Sequence, residues 1–189
     1  MKNAAYFSFT GEVTEARIAR FCHTFSTVMD DCSRAAGPYD HAFLLFHSHG
    51  GENLPALELY SFLRARADRC TVINVGWVCS AAVTIFLAVP VARRAMAEHA
   101  VFMTHAVRLK VTGTSTIEED SEFEMKRWDE TNRVGEILCS NTNITPDEWN
   151  GAVVMDCEIW RDHTDAVSSG LVSQVGRIWL PKGVYLHEL

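Results

Sequence analysis

The stretch from Thr71 to Leu87, TVINVGWVCSAAVTIFL, decides how the rest of the chain is read. Its first part, Thr71 to Val75, is rich in β-branched residues and predicts a strand. Gly76 predicts a break in that strand. Ser80 to Leu87 is apolar apart from Ser80 and Thr84, so it predicts a helix buried on all sides, with the serine as its first residue. A strand leading through a sharp turn into a buried helix is the repeating step of α/β architecture, with right-handed crossovers expected. Upstream, Ala4 to Phe9 is a short aromatic-rich strand closed by Gly11. Ile18, Phe21, Cys22, Phe25, Val28 and Met29 then recur at helical spacing. After the polar turn from Ser33 to Asp40, Ala42 to Phe46 is apolar on both faces, as a central parallel strand is, and it ends at His47. Ser48-His49-Gly50-Gly51 forms a turn, and Pro55 starts a helix through Leu57, Leu59, Phe62 and Leu63.

Downstream, Arg94 to Ala97 predicts a fourth strand, and Ala100 to Thr104 a fifth that delivers His105 at its carboxyl end. Arg108 to Thr116 is polar and turn-prone. Ile117 to Leu138 is a long charged helix with Phe123, Val134, Ile137 and Leu138 on one side and Ile117, Met125 and Trp128 on another. Two apolar stripes need two covering surfaces, which implies self-association. Thr145-Pro146 opens a short helix, Asp162 caps another that ends at Gly170, and Leu171 to Val175 predicts the last strand. No internal repeat or linker interrupts the chain, so one domain spanning residues 1–189 is expected.

The chain has 189 residues, 48% hydrophobic and 22% charged, with a formal net charge of −7, a composition that excludes a disordered tail. A chain of this size buries roughly 70% of its unfolded surface, enough for a core without staples. The acidic balance argues against phosphate backbones and anionic lipid, so neither nucleic acid nor a membrane is an expected partner. Trp77 to Ala92 is interrupted by Ser80, Thr84 and Pro90, falls short of the ~20 residues a bilayer crossing needs, and reads as buried core. Cys22, Cys32, Cys70, Cys79, Cys139 and Cys157 show no paired metal-type spacing, and no secretory leader is evident. The expected compartment is reducing cytoplasm. His41, His47 and His49 with Cys79 make a weak ligand set, so no metal or other cofactor is expected.

Gly50-Gly51, Ser80 and His105 stand at strand carboxyl ends, where α/β folds place their sites. Singly, each has an ordinary structural explanation: a turn, a helix cap, a hydrogen-bonded histidine. Together they supply backbone donors, a nucleophile and a base in that order along the chain. At this point the chain resembles the proteolytic subunit of the Clp protease, a serine peptidase of the crotonase-type superfamily. The resemblance rests on Ser48-His49-Gly50-Gly51 for the family's Ser-Pro-Gly-Gly turn, on Gly76-Trp77-Val78-Cys79-Ser80 for its Gly-x-x-x-Ser, and on Met103-Thr104-His105 for its Met-x-His. The intervals of 29 residues from Gly51 to Ser80 and 25 from Ser80 to His105 are also similar to the family's.

The resemblance implies a fold of repeated β-β-α units with a protruding handle helix, here residues of about 106–140, that interlocks stacked rings. It implies that Ser80 attacks a peptide carbonyl, His105 takes its proton, and the N–H groups of Gly51 and Ala81 receive the oxyanion. An acyl-enzyme and its hydrolysis follow. Counting back from Gly170 puts the family's acid at Glu158, the favoured assignment, with Trp160 matching an aromatic that follows it; counting forward from Trp149 reaches Asp156, the alternative acid. The implied partners are a peptide or unfolded protein substrate and further copies of the chain in a ring or stacked rings, with the Arg108 to Thr116 segment beside the cleft. The chain departs from the pattern at His49, in place of a proline, and at Ala81-Ala82, in place of a methionine-glycine pair. It enters its first strand without the family's amino-terminal loop and helix, which argues against a feeding ATPase. Two other functions stay open: a catalytically weak or inactive structural or regulatory subunit, and a crotonase-like acyl-CoA enzyme using the oxyanion hole without a nucleophile.

Overall fold

A computed structural model describes residues 3–34, 36–108 and 117–189, with 117–120 described as backbone only. The segment 109–116, expected beside the cleft, lies outside the described residues, as does the side chain of Ile117. The elements run β1 (Ala4–Thr10), α1 (Glu15–Met29), β2 (His41–Ser48), α2 (Asn53–Arg64), β3 (Cys70–Cys79), α3 (Ala81–Phe86), β4 (Arg94–Ala97), β5 (Val101–Thr104), α4 (Ile117–Asn141), α5 (Pro146–Val154), β6 (Ile159–Arg161), α6 (His163–Ser168), β7 (Gln174–Gly176) and β8 (Leu186–Glu188). The strands form one sheet in the order β6-β5-β3-β2-β1-β8, with β4 beside β3 and β7 beside β4. Among the described residues every pairing is parallel except that of β5 with β6.

The element boundaries follow from local chemistry. The Thr14 hydroxyl accepts from the Arg17 N–H and opens α1; Thr145 does the same for α5 through the Glu148 N–H, and Asp162 caps α6 through the Thr164 and Asp165 N–H groups. Pro55 sits in the first turn of α2, where a missing N–H costs nothing. The apolar face of α1, Ile18, Phe21, Phe25 and Met29, packs on the aromatic strand residues, with Phe9 and Phe46 stacked at 4.7 Å between ring centroids. All six residues of α3 are buried, as its sequence demands. Burying its Val83, Ile85 and Phe86 side chains is worth roughly 1.5–3 kcal/mol each before chain entropy is subtracted.

Four expectations need correction. Gly76 does not end the third strand: β3 runs from Cys70 to Cys79 and changes partner at Gly76. Its first half pairs with β4 through Val72–Asn74 and its second half with β5 through Trp77–Cys79. Between them side chains take over the ladder's work. The Gly76 N–H donates to Asn74 Oδ1 at 3.0 Å, and the Trp77 N–H donates to His47 Nδ1 at 3.1 Å. The His47 ring lies so close that a Cβ on Gly76 would stand 2.5 Å from Nδ1, which is why a glycine is needed there. Second, β2 continues one residue past His47, to Ser48. Third, the Trp77 to Ala92 run is core only from Val78 to Val89, Ser80 being half-buried, because Trp77 and Val91 are exposed at its ends. Fourth, Leu171 and Val172 are buried but not in a strand; the strand comes later, at β7, and the short β6 and β8 were not expected at all.

In α4 the stripe of Phe123, Val134, Ile137 and Leu138 is half-buried to buried. Met125 and Trp128 on the other stripe are 73% and 51% exposed. No helix among the described residues is long and apolar enough to cross a membrane.

Candidate active site

Adjacent strands β5, β3 and β2 end side by side, so the loops leaving them meet. The turn after β2 carries Gly50 and Gly51, the turn after β3 carries Ser80, and β5 hands over to His105. Ser80, Ala81, His105 and Gly51 all line one cleft, walled further by Thr84, Leu87, Val134, Leu138 and Trp149. The cleft encloses about 480 Å³ including its open mouth.

Ser80 has φ 56° and ψ −130°, a left-handed conformation that side chains avoid at a cost of about 1–3 kcal/mol. The elbow is pinned because the Ser80 N–H donates to the Met103 carbonyl at 2.8 Å, while its own carbonyl accepts from the Val83 N–H at 2.9 Å. The strain turns the hydroxyl out at the start of α3, as in a nucleophile elbow. Gly50, at φ +95°, packs against this turn; a Cβ there would stand 2.7 Å from both Ser80 Cβ and the Cys79 carbonyl. Gly51 is seated from the other side by Val13, whose N–H donates to the Gly50 carbonyl and whose carbonyl accepts from the Glu52 N–H. The N–H groups of Gly51 and Ala81 meet no protein acceptor among the described residues, and both residues border the cleft.

His105 is half-buried, and its Nδ1 is buried without a hydrogen-bond partner. Burial lowers its pKa below the ordinary imidazole value; Arg108 pushes the same way, while the Ala106 backbone, Glu158 and Asp156 oppose it. The imidazole is therefore neutral at pH 7 and able to accept a proton. Neither Ser80 nor a carboxylate is hydrogen-bonded to it among the described residues.

Both candidate acids lie close to His105, and Arg108 holds both. Arg108 Nη1 is 3.3 Å from Glu158 Oε1, and Arg108 Nε is 3.6 Å from Asp156 Oδ1. The second Glu158 oxygen accepts from Trp160 Nε1 at 3.3 Å. The pairing of β5 with β6 sets Met103 opposite Trp160 and Thr104 opposite Ile159 and ends there, so His105 and Glu158 adjoin the last pair of the ladder. Asp156 falls two residues further on, at the strained φ of 45°. Cys79 points into the core, and burial raises its thiol pKa to about 11, which leaves it no role as a nucleophile. His47 and His49 stack edge-to-face, and His49 packs on Trp77, but among the described residues no three His, Cys, Asp or Glu side chains could share a metal ion. Arg108 is the site residue that sequence reasoning passed over: it was read only as the start of a polar segment, and its partners are about 50 residues away.

A strained serine elbow, a diglycine turn and a histidine on neighbouring parallel strands define a ClpP-type α/β fold. The chain belongs to the Clp protease family, whose family model matches residues 33–178. Among solved structures it is similar to a mutant of ClpP1 from Listeria monocytogenes, with a TM-score of 0.69 and 16% sequence identity over 92% of this chain and 90% of that one. No curated protein sequence matches it.

Proposed function

We propose that this ClpP-like protein is a serine peptidase that cleaves peptide bonds through an acyl-enzyme. The observation that carries the proposal is the convergence, in one cleft, of a strained Ser80 elbow, a neutral half-buried His105 and the unpaired N–H groups of Gly51 and Ala81. In this reading Ser80 Oγ forms a bond to the scissile carbonyl carbon as its proton passes to His105. The carbonyl π electrons move to oxygen, and the Gly51 and Ala81 N–H groups stabilise that charge where it develops. As the C–N bond breaks, the imidazolium returns the proton to the leaving amine. Water, deprotonated by His105, then releases the acyl group and restores Ser80. Glu158 is the better acid for orienting the imidazole, supported by its place beside the last β5–β6 pair and by its stronger electrostatic action on His105 than that of Asp156.

The exposed Met125 and Trp128 of α4 support a handle that closes against another copy, placing the cleft inside a chamber. All six cysteines are unpaired, which suits a reducing compartment. An inactive structural subunit is the alternative, favoured by the missing bond at His105 Nδ1. A fluorophosphonate probe decides between the two. Labelling of the native protein that disappears in Ser80→Ala supports the peptidase. No labelling in a well-folded, assembled protein overturns it.

A further inference from the structure

His105 Nδ1 is buried without a hydrogen-bond partner, although Glu158 adjoins the last β5–β6 pair and its charge acts on the ring. The Glu158 carboxylate is instead turned away, with one oxygen on Arg108 and the other on Trp160. Arg108 is anchored to the same loop a second time, through Asp156 Oδ1 and, at 3.5 Å, the Asp156 carbonyl. The guanidinium fork thus occupies all the nearby negative charge. Among the described residues the charged groups acting on His105 are Arg108, Glu158 and Asp156, so the whole local balance is set by this one cluster.

We infer that Arg108 is a positioning residue that holds Glu158 off His105, and that the third contact of the triad is made only when the guanidinium releases the carboxylate. The inference rests on the peptidase reading for its consequence, but not for its physical content. The ion pairs of Arg108 are solvent-exposed, with Arg108 itself 50% exposed and Glu158 39%. Such pairs are weak and are screened by salt, so the held and released arrangements lie close in free energy and either can be populated.

The test uses the full-length native protein and Arg108→Gln. A histidine whose Nδ1–H is held by a carboxylate gives a far-downfield proton resonance, which a merely structural loss of Arg108 would not create. The expected result is that this resonance is absent from the native protein and appears in Arg108→Gln, and that it disappears again in Arg108→Gln with Glu158→Gln. Fluorophosphonate labelling of Ser80 should rise about fivefold in Arg108→Gln, the population shift expected from loss of an exposed ion pair. If Arg108→Gln fails to fold, Arg108→Lys keeps the charge, breaks the fork and should show the same resonance. The inference is overturned if the native protein already shows the resonance, if a folded Arg108 variant lacks it, or if it survives Glu158→Gln and vanishes with Asp156→Asn. A resonance that behaves as expected in a protein that never labels upholds Arg108 as the positioning residue and removes the peptidase reading alone.

Discussion

Replacing Gly50 by alanine tests whether the diglycine turn and the serine elbow are seated against one another. Two penalties add. The first is conformational: at φ +95° an alanine is strained by about 1–3 kcal/mol. The second is crowding, because the new Cβ would stand 2.7 Å from the Cys79 carbonyl and from Ser80 Cβ and 3.1 Å from the Ala81 nitrogen, against 3.4 Å for an ordinary contact. The Cys79 carbonyl belongs to β3 and cannot rotate away, so the turn must retreat by about 0.7 Å and carry the Gly51 N–H with it. Oxyanion donors work within 2.7–3.1 Å of the charge, and losing one costs about 10²–10³ in rate. The conformational penalty alone lowers Tm by roughly 2–12 °C in a chain of this length. The expected outcome for Gly50→Ala is therefore a melting temperature lowered by more than the conformational penalty alone would lower it, and fluorophosphonate labelling slowed about a hundredfold. Gly37→Ala is the control: Gly37 has a φ of +74° with nothing within 4 Å, so it carries the strain without the crowding. It should lower Tm and leave labelling untouched. Gly50→Ala labelling at the native rate would refute the seating of the turn on the elbow and, with it, the assignment of Gly51 as a donor.

Ser80→Gly should abolish labelling while raising Tm by about 2–4 °C, since a glycine adopts φ 56° without strain and the relief, about 1–3 kcal/mol, exceeds its added chain entropy of about 0.5–1 kcal/mol by about 1 kcal/mol; a lower Tm would show that the elbow is not strained. The lowered pKa of His105 fixes the acid limb of the labelling rate below the ordinary imidazole value of ~6.5, because the neutral base persists until the pH falls through the depressed folded value. The same shift sets the sign of its stability effect. The unfolded chain takes up the proton first, so the contribution of His105 is complete above about pH 6.5 and is lost as pH falls through the folded pKa. Chemical-denaturation curves between pH 5 and 7, with and without His105→Gln, check this, and a stability difference that grows as the pH falls would contradict it.

The parts of the fold that were legible in the sequence are those where one segment carries its own signal. The helix α3 could be read because six consecutive residues leave no polar face, and β2 because it is apolar on both sides between two parallel neighbours. The strands β6 and β8 could not, because three residues make less than two periods of alternation and owe their existence to a partner strand. Gly76 misled for a related reason. A glycine inside a strand usually signals an interruption, but here it makes room for a histidine ring from the neighbouring strand that supplies the missing acceptor.

The same distinction separates the parts of the site. Ser80, the diglycine turn and His105 are each recognisable from their own neighbours, and the sheet order then brings them together without further instruction. The acid is different, because counting along the chain from two anchors leads to two residues, Glu158, which the sequence favours, and Asp156. The antiparallel pairing of β5 with β6, the one pairing among the described residues that is not parallel, brings the chain back toward His105 and ends one residue short of Glu158. Arg108 is less legible still, since its effect depends on a guanidinium reaching two carboxylates about 50 residues away. A side chain's nature and its place on an element are therefore readable in one dimension. Whether a carboxylate supports a histidine or neutralises an arginine depends on which of the two it can reach, and in this protein Glu158 is on Arg108 while His105 Nδ1 has no partner.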